Sequence, residues 1–104
     1  MTTVYYEAQG GRCLLSVRGH ATGSPAVCAA VSGLVYALAG YLVNCEGVLL
    51  YNKTLDSGQA LLHFQGDQGG QAAFRMTLIG LAQIAKAHPE QVELTGEKNF
   101  EKFF

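Results

Sequence analysis

The chain has 104 residues, which is the length of one domain with a single core. Charged residues make up only 14% of it and apolar residues 49%, so part of its thinly charged surface is expected to lie against a second copy, in a homodimer. The net charge of −1, with seven scattered Lys and Arg residues, argues against nucleic acid as a direct ligand.

The three cysteines and the first residues bear on the cellular compartment. Cys13, Cys28 and Cys45 are an odd number, and the first nine residues alternate in polarity instead of forming a charged region followed by an apolar run. Without a secretory signal, these cysteines are interpreted as reduced thiols. The sequence therefore predicts a cytoplasmic protein.

One uncharged segment needs a separate test against a membrane span. Residues 26–43 carry no charge over 18 positions, which is the short end of what a membrane-spanning helix requires. Their apolar character comes largely from Ala and Gly, and no basic cluster flanks them. We expect a central helix of the domain, covered on nearly all sides, and no contact with a membrane.

The first half of the chain predicts a hairpin followed by a long helix. β-branched and aromatic residues favour strands, and the Gly pair at 10–11 favours the turn between them. Ser24 is a good helix N-cap, and Pro25 suits the first helical position. The predicted elements are strands at 2–8 and 12–18, a loop at 19–24 and a helix from Pro25 to about Asn44.

The second half predicts another hairpin, a helix and a last strand. Phe74, Leu78, Leu81 and Ala85 recur at helical spacing. The predicted elements are strands at 47–54 and 59–65 around a turn at 55–58, a loop at 66–70, a helix at 71–87 and a strand at 91–95. The order β-β-α-β-β-α-β indicates an α+β fold in one domain, 1–104, with a mostly antiparallel sheet carrying two helices.

Three features relevant to catalysis lie close together between Gly19 and Ser32. His20 leaves the end of a strand, a loop with Gly and Ser follows, and Cys28 lies in the first turn of the helix. A helix N-terminus favours negative charge, so it favours the thiolate, which is the nucleophilic form of cysteine. An imidazole within reach can take the thiol proton, and unpaired N–H groups at the helix start can stabilise an oxyanion.

Each of these residues also has a purely structural interpretation. A cysteine in an Ala-rich helix is more often a small core residue, and a histidine in a loop is usually surface. Ser32 lies one turn after Cys28, where its hydroxyl can bond near the thiolate or to the carbonyl four residues back. Only the combination of His20, the loop, the cap and Cys28 favours catalysis.

A metal site is not expected. His63 and Cys45, taken with His20 and Cys28, do not have the short spacings that metal-binding pairs show. Cys13 lies among apolar residues of a strand, where packing is the simpler role. The sequence therefore predicts neither a metal nor another cofactor.

The run GHATGSPAVCAAVSGL at 19–34 resembles the Prp family, the ribosomal-processing cysteine proteases of bacteria. In that family a Gly-His-Ala opens a loop that ends in a Val-Cys-Ala helix start, with a Ser one turn later. The matching residues here are Gly19, His20, Ala21, Gly23, Val27, Cys28, Ala29 and Ser32.

The resemblance implies a dimeric α+β endopeptidase with Cys28 as nucleophile and His20 as base. Gly19, Gly23, Ser24 and Ser32 would support the site or bind substrate. Family members cleave after a bulky apolar pair, often Phe-Phe, removing the N-terminal extension of a large-subunit ribosomal protein or processing phage capsid and scaffold proteins.

The sequence departs from the family pattern at two points. The loop between His20 and Cys28 is several residues shorter than usual, and Pro25 stands where the family commonly has Asp. A third catalytic group is therefore missing at that position. The alternative hypothesis is a catalytically inactive binding module on a ribosome or phage procapsid. A redox-sensing thiol is a third interpretation, but Cys45 would lie about 25 Å from Cys28 along a straight helix.

Overall fold

The computed structural model describes residues 1–19 and 24–104 and shows the predicted element order, followed by a short 3-10 helix. The strands are β1 Thr2–Gln9, β2 Arg12–Arg18, β3 Val48–Asp56, β4 Gln59–Gly66 and β5 Val92–Gly96. The helices are α1 Pro25–Asn44, α2 Gln68–Ala87 and the 3-10 helix Lys98–Phe103.

The five strands form one mixed, mostly antiparallel sheet in the order β3-β4-β2-β1-β5. Both hairpins are antiparallel, β2 and β4 join them in an antiparallel pair, and only β5 runs parallel to its neighbour β1. Strand β5 can run parallel to β1 because helix α2 connects β4 to β5 across the sheet. The predicted α+β class and the element order are confirmed.

One face of the sheet carries the core. Alternate residues of β1, β2 and β4 are buried, as expected for strands with one face against helices. Helices α1 and α2 both contribute to the same buried cluster. The largest fully buried side chains are Phe64, Phe74, Leu15, Leu38, Leu62, Leu78 and Leu81.

The expectation that helix α1 is covered on nearly all sides is wrong for the single chain. Its buried residues are Val27, Val31, Val35, Leu38, Ala39 and Leu42. The fold has one helical layer on the sheet, so the opposite side of α1 faces outward with Tyr36 60% exposed. By length and composition α1 could also span a membrane, a property that it shares with core helices.

Helix α2 begins three residues earlier than expected. The sequence GDQGG at 66–70 was predicted as a loop, but the Asp67 carboxylate accepts a hydrogen bond of 2.8 Å from the Gly70 N–H and caps the helix. This cap compensates for the low helical preference of two glycines in the first turn. The turn between β3 and β4 is shorter than the predicted turn at 55–58, because only Ser57 and Gly58 separate the two strands.

The C-terminal residues pack on the chain's own core. Tyr6 contacts the rings of Phe100 and Phe104, with centroids 5.7 Å and 6.0 Å away. Its hydroxyl donates a 2.8 Å hydrogen bond to the carbonyl of Glu97. Burial, with the negative charges of Glu101 and Glu97, raises the pKa of Tyr6, so this hydroxyl remains a donor at neutral pH.

Candidate active site

The start of α1 is built around Ser24, as the sequence predicts. Ser24 has extended backbone angles, and its side chain accepts a 3.3 Å hydrogen bond from the Val27 N–H. Pro25 occupies the first helical position, where a missing N–H costs nothing. The backbone N–H of Cys28 donates a 3.2 Å hydrogen bond to the Ser24 carbonyl, which closes the first helical turn.

This capping corrects the expectation that the helix start offers several amides to an oxyanion. Pro25 has no N–H, and the N–H groups of Val27 and Cys28 are both directed to Ser24. Three of the first four helical positions therefore have no amide left for a ligand. A developing oxyanion would need donors from another part of the site.

Cys28 is half-buried and lines a pocket of about 240 Å³ between α1 and the β3–β4 turn. Four further residues of α1 line the pocket: Val31, Ser32, Val35 and Tyr36. The residues of the strands and their connections that line it are Thr2, Val17, Gly19, Leu55, Asp56, Ser57, Gly58, Gln59 and Ala60. Its volume and partly apolar lining suit one bulky side chain of a peptide.

Gly19 fixes the point at which the chain leaves β2. Its φ of +86° lies in the left-handed region that favours glycine. Its N–H donates a 2.9 Å hydrogen bond to the Gly58 carbonyl, which ties it to the β3–β4 turn. A Cβ atom at this position would clash with the carbonyl oxygen of Met1. The residue that immediately precedes His20 is therefore held in one place.

The structure brings together three of the predicted site residues. Gly19, Cys28 and Ser32 line the same pocket, and Ser24 caps the helix that carries Cys28. Ser32 is exposed and lines the pocket. The predicted roles of His20 and Gly23 lie outside the described residues.

Sequence reasoning missed the contribution of the β3–β4 turn. Residues 55–60 line the pocket because β4 is antiparallel to β2, with Gln59 directly opposite Arg18. The start of β4 thus lies beside the end of β2, next to Gly19. The turn itself was predicted, but its position depends on the sheet order, for which the sequence gives no local signal. Tyr36 also lines the pocket, although its side chain is largely exposed.

The two other thiols have different surroundings. Cys13 is 2% exposed, and burial raises its pKa to about 11, so it remains protonated at neutral pH. The packing role predicted for Cys13 is confirmed. Cys45 is half-buried at the end of α1, and its Sγ donates a 3.5 Å hydrogen bond to the hydroxyl oxygen of Tyr41.

Among residues 1–19 and 24–104, no group of three His, Cys, Asp or Glu side chains is arranged to hold a metal.

Comparison with known protein families identifies the family of this chain. The model of the family described as cysteine protease Prp matches residues 1–93, which include both Gly19 and Cys28. The chain belongs to the Prp cysteine protease family. The resemblance that the 19–34 motif carries is thereby confirmed over most of the sequence.

Solved structures agree with the Prp fold. The S. aureus ribosomal processing protease Prp with a covalently linked product peptide superimposes with a TM-score of 0.81 at 18% identity, covering 93% of this chain and 100% of that one. Its complex with a substrate peptide gives 0.72 at 17% identity, with the same coverage. A Streptococcus mutans protein gives 0.74 at 23% identity, covering 92% of this chain and 93% of its own. No curated protein sequence matches significantly.

Proposed function

We propose that this Prp-family chain is a cysteine endopeptidase in which Cys28 is the nucleophile and His20 the base. The observation that carries the proposal is that Cys28 shares a pocket with Gly19, the residue directly before His20. The Cys28 side chain is half-buried there, as a nucleophile that must meet a substrate requires. Ser24 and Gly19 fix the backbone on both sides of the loop that carries His20.

The reaction follows from these roles as two acyl transfers. His20 takes the thiol proton while the Cys28 sulfur adds to the scissile carbonyl carbon. The carbon–nitrogen bond then breaks, and the imidazolium gives its proton to the leaving amine, which produces a thioester. His20 next takes a proton from water, the resulting hydroxide displaces the sulfur, and Cys28 regains its proton. We assign the hydroxyl of Ser32 as one donor to the oxyanion, since most amides at the start of α1 are occupied.

The pocket walls support a substrate with bulky apolar residues. Its apolar residues come from the sheet and from α1 and are Val17, Val31, Val35, Leu55 and Ala60. Exposed Tyr36 adds an aromatic ring that can contact a second apolar side chain. We propose cleavage after a Phe-Phe pair, in the N-terminal extension of a large-subunit ribosomal protein or in a phage capsid or scaffold protein. The S. aureus relative holds a substrate peptide in one structure and a covalently linked product peptide in another.

Cleavage of a defined peptide tests this function. A peptide of about a dozen residues with one central Phe-Phe pair is incubated with the protein, and the products are identified by mass spectrometry. We expect a single cut after the second Phe. Replacing both Phe residues by Ala should prevent cleavage because the pocket is then left unfilled. Equal cleavage of the two peptides would contradict the proposed specificity.

We also propose that the protein is a cytoplasmic homodimer that associates through the outward side of α1. This helix of 20 residues contains no charged side chain. Added Cβ atoms at Gly33 and Gly40 would meet nothing within 4 Å, so this side is open in the single chain. An uncharged surface lined by small residues allows close approach of an identical helix.

Sedimentation velocity tests the dimer. We expect the mass of two chains for the wild-type protein and of one chain for Ala37→Glu, because the substitution places a charge on the exposed side of α1. Ala72→Glu, on an exposed position of α2, is the matched control and should remain dimeric. A monomeric wild-type protein, or a dimeric Ala37→Glu variant, would show that α1 is not the interface.

The alternative of an inactive binding module has one observation in its favour. With the N–H groups of Val27 and Cys28 bonded to Ser24 and no N–H on Pro25, the start of α1 offers fewer oxyanion donors than the sequence predicts. Such a module would bind a peptide in the same pocket without cutting it. The reactivity of the Cys28 thiol separates the two functions, because only catalysis requires an accessible thiolate.

A further inference from the structure

Strand β3 forms one edge of the sheet, and the hydrogen bonds of its neighbour β4 show which backbone groups face that edge. Successive residues of a strand direct their N–H and C=O groups to opposite sides. At the two ends of β4, the Gly66 N–H donates a 2.9 Å hydrogen bond to the Gly11 carbonyl, and the Gly58 carbonyl accepts one of 2.9 Å from the Gly19 N–H. The even-numbered residues of β4 are therefore directed to β2, and the odd-numbered residues to β3.

This alternation leaves Lys53 and Leu55 with backbone groups that face the edge. Thr54 and Asp56 lie opposite odd-numbered residues of β4 and bond to them. Lys53 and Leu55 lie opposite even-numbered residues, so their N–H and C=O groups point away from β4 and out of the sheet. Two donors and two acceptors thus form a row along the edge.

The row is short because both of its ends are fixed by the fold. A register shift between Leu50 and Asn52 interrupts the pairing on one side, and the turn after Asp56 ends the strand on the other. The remaining segment, 53–56, is shorter than the typical strand of about five to six residues, so it is a poor interface for a continuous sheet between two copies. It suits a few residues of an extended peptide.

Leu55 connects this edge to the pocket that contains Cys28. Its side chain packs against the core and lines the pocket, so it points to the side of the sheet that carries α1. A peptide residue paired with Leu55 has its side chain on the same side of the sheet. Ser32 and the exposed ring of Tyr36 line the pocket there from α1. Pairing at Leu55 therefore directs one peptide side chain toward the pocket.

We propose that β3 binds the substrate peptide as an added strand through the N–H and C=O groups of Lys53 and Leu55. This inference rests on the proposed endopeptidase function and adds to it the surface that holds the peptide backbone. The main-chain hydrogen bonds supply affinity that does not depend on the peptide sequence, while the pocket selects one side chain. Because the bound peptide is extended, only every second amide of it faces β3.

A series of N-methylated peptides tests the pairing from the side of the ligand. Each peptide contains the Phe-Phe pair and one N-methyl group, which removes one backbone donor, and the positions are taken in turn on both sides of the pair. Kd is measured by fluorescence anisotropy with Cys28→Ala, and kcat/KM with the wild-type protein. We expect Kd to rise about three- to tenfold at alternate positions on one side of the pair, and to stay unchanged at the positions between them.

Two substitutions of Lys53 test the pairing from the side of the protein. Lys53→Pro removes the outward N–H, and an edge strand tolerates proline where that N–H faces away from its neighbour. Lys53→Ala is the reference, because it loses the same side chain but keeps the N–H. We expect kcat/KM for the Phe-Phe peptide to be about three- to tenfold lower for the Pro variant than for the Ala variant. Urea denaturation should show similar stability for the two.

The outcomes separate this inference from the function on which it rests. If N-methylation has no alternating effect, or if two folded Lys53 variants have the same kcat/KM, the added strand is wrong, while cleavage by the wild-type protein leaves the endopeptidase standing. If the wild-type protein cuts no peptide but Kd alternates, the endopeptidase is wrong and the edge of β3 binds peptides without cleavage. A dimer that Lys53→Pro dissociates in sedimentation velocity would show that the edge pairs with a second copy instead. Should Lys53→Pro fail to fold, the peptide series alone decides.

Discussion

Replacement of Cys28 by Ala is expected to abolish cleavage of the Phe-Phe peptide, with kcat falling by about four orders of magnitude or more. No other described residue in the pocket has a side chain that can form the thioester. His20→Ala should have a comparable effect because the thiol then lacks its base. Both rates are measured by following the peptide products by mass spectrometry. Circular dichroism should show that both variants are folded.

The three thiols of the chain provide internal controls for this result. Cys45→Ala should retain cleavage because Cys45 lies at the opposite end of α1 and contacts Tyr41. With iodoacetamide near neutral pH, Cys28 should be alkylated fastest and Cys13 slowest, since Cys13 is buried with its pKa raised to about 11. Cleavage by Cys28→Ala would exclude the proposed nucleophile. A wild-type protein that neither cleaves peptides nor alkylates rapidly at Cys28 would instead be the binding module.

Replacement of Gly19 by Ala is expected to have the second largest effect. The left-handed backbone and the clash of a new Cβ with the Met1 carbonyl oxygen should together lower the free energy of unfolding by about 1–3 kcal/mol. Because relief of the clash moves the end of β2, and His20 follows directly, kcat/KM should fall at least about tenfold as the base is misplaced. Urea denaturation and peptide kinetics on the same sample measure the two effects.

Gly10→Ala is the matched control for that substitution. Gly10 also has a positive φ, +59°, but an added Cβ there meets nothing within 4 Å. It lies in the β1–β2 turn, at the other end of β2 from the pocket. This variant should lose stability through its backbone alone, by about 1 kcal/mol, and should keep its kcat/KM. An equal loss of activity in both variants would show that the position of Gly19 has no special role in the site.

Local patterns explain why the elements could be predicted from the sequence. The hairpins follow from alternating apolar residues separated by Gly-containing turns, and the start of α1 follows from Ser24 and Pro25. The start of α2 was misplaced because two glycines at 69 and 70 resemble a loop, whereas the hydrogen bond from Asp67 stabilises them in a helix.

The composition of the site could be predicted only in part. The motif at 19–34 identifies Gly19, Ser24, Cys28 and Ser32, since these residues are close together in sequence. The opposite wall, which includes Asp56, comes from a turn about 30 residues away and depends on β2 pairing with β4 across α1 and β3. Such a long-range pairing has no signature in a single sequence. The loss of free amides could have been anticipated, because a serine cap and a proline at the first position both remove them.

The aromatic contacts of the last residues set a lower limit on the length of a stable protein. Tyr6 is 2% exposed, and both Tyr6 and Phe74 have Phe100 beside their rings, at centroid distances of 5.7 Å and 6.2 Å. The region that the family model matches ends at residue 93, before Phe100. A chain trimmed to that boundary would expose two large aromatic rings to water and would be prone to aggregate. Expression for any of these assays should therefore retain residues 94–104.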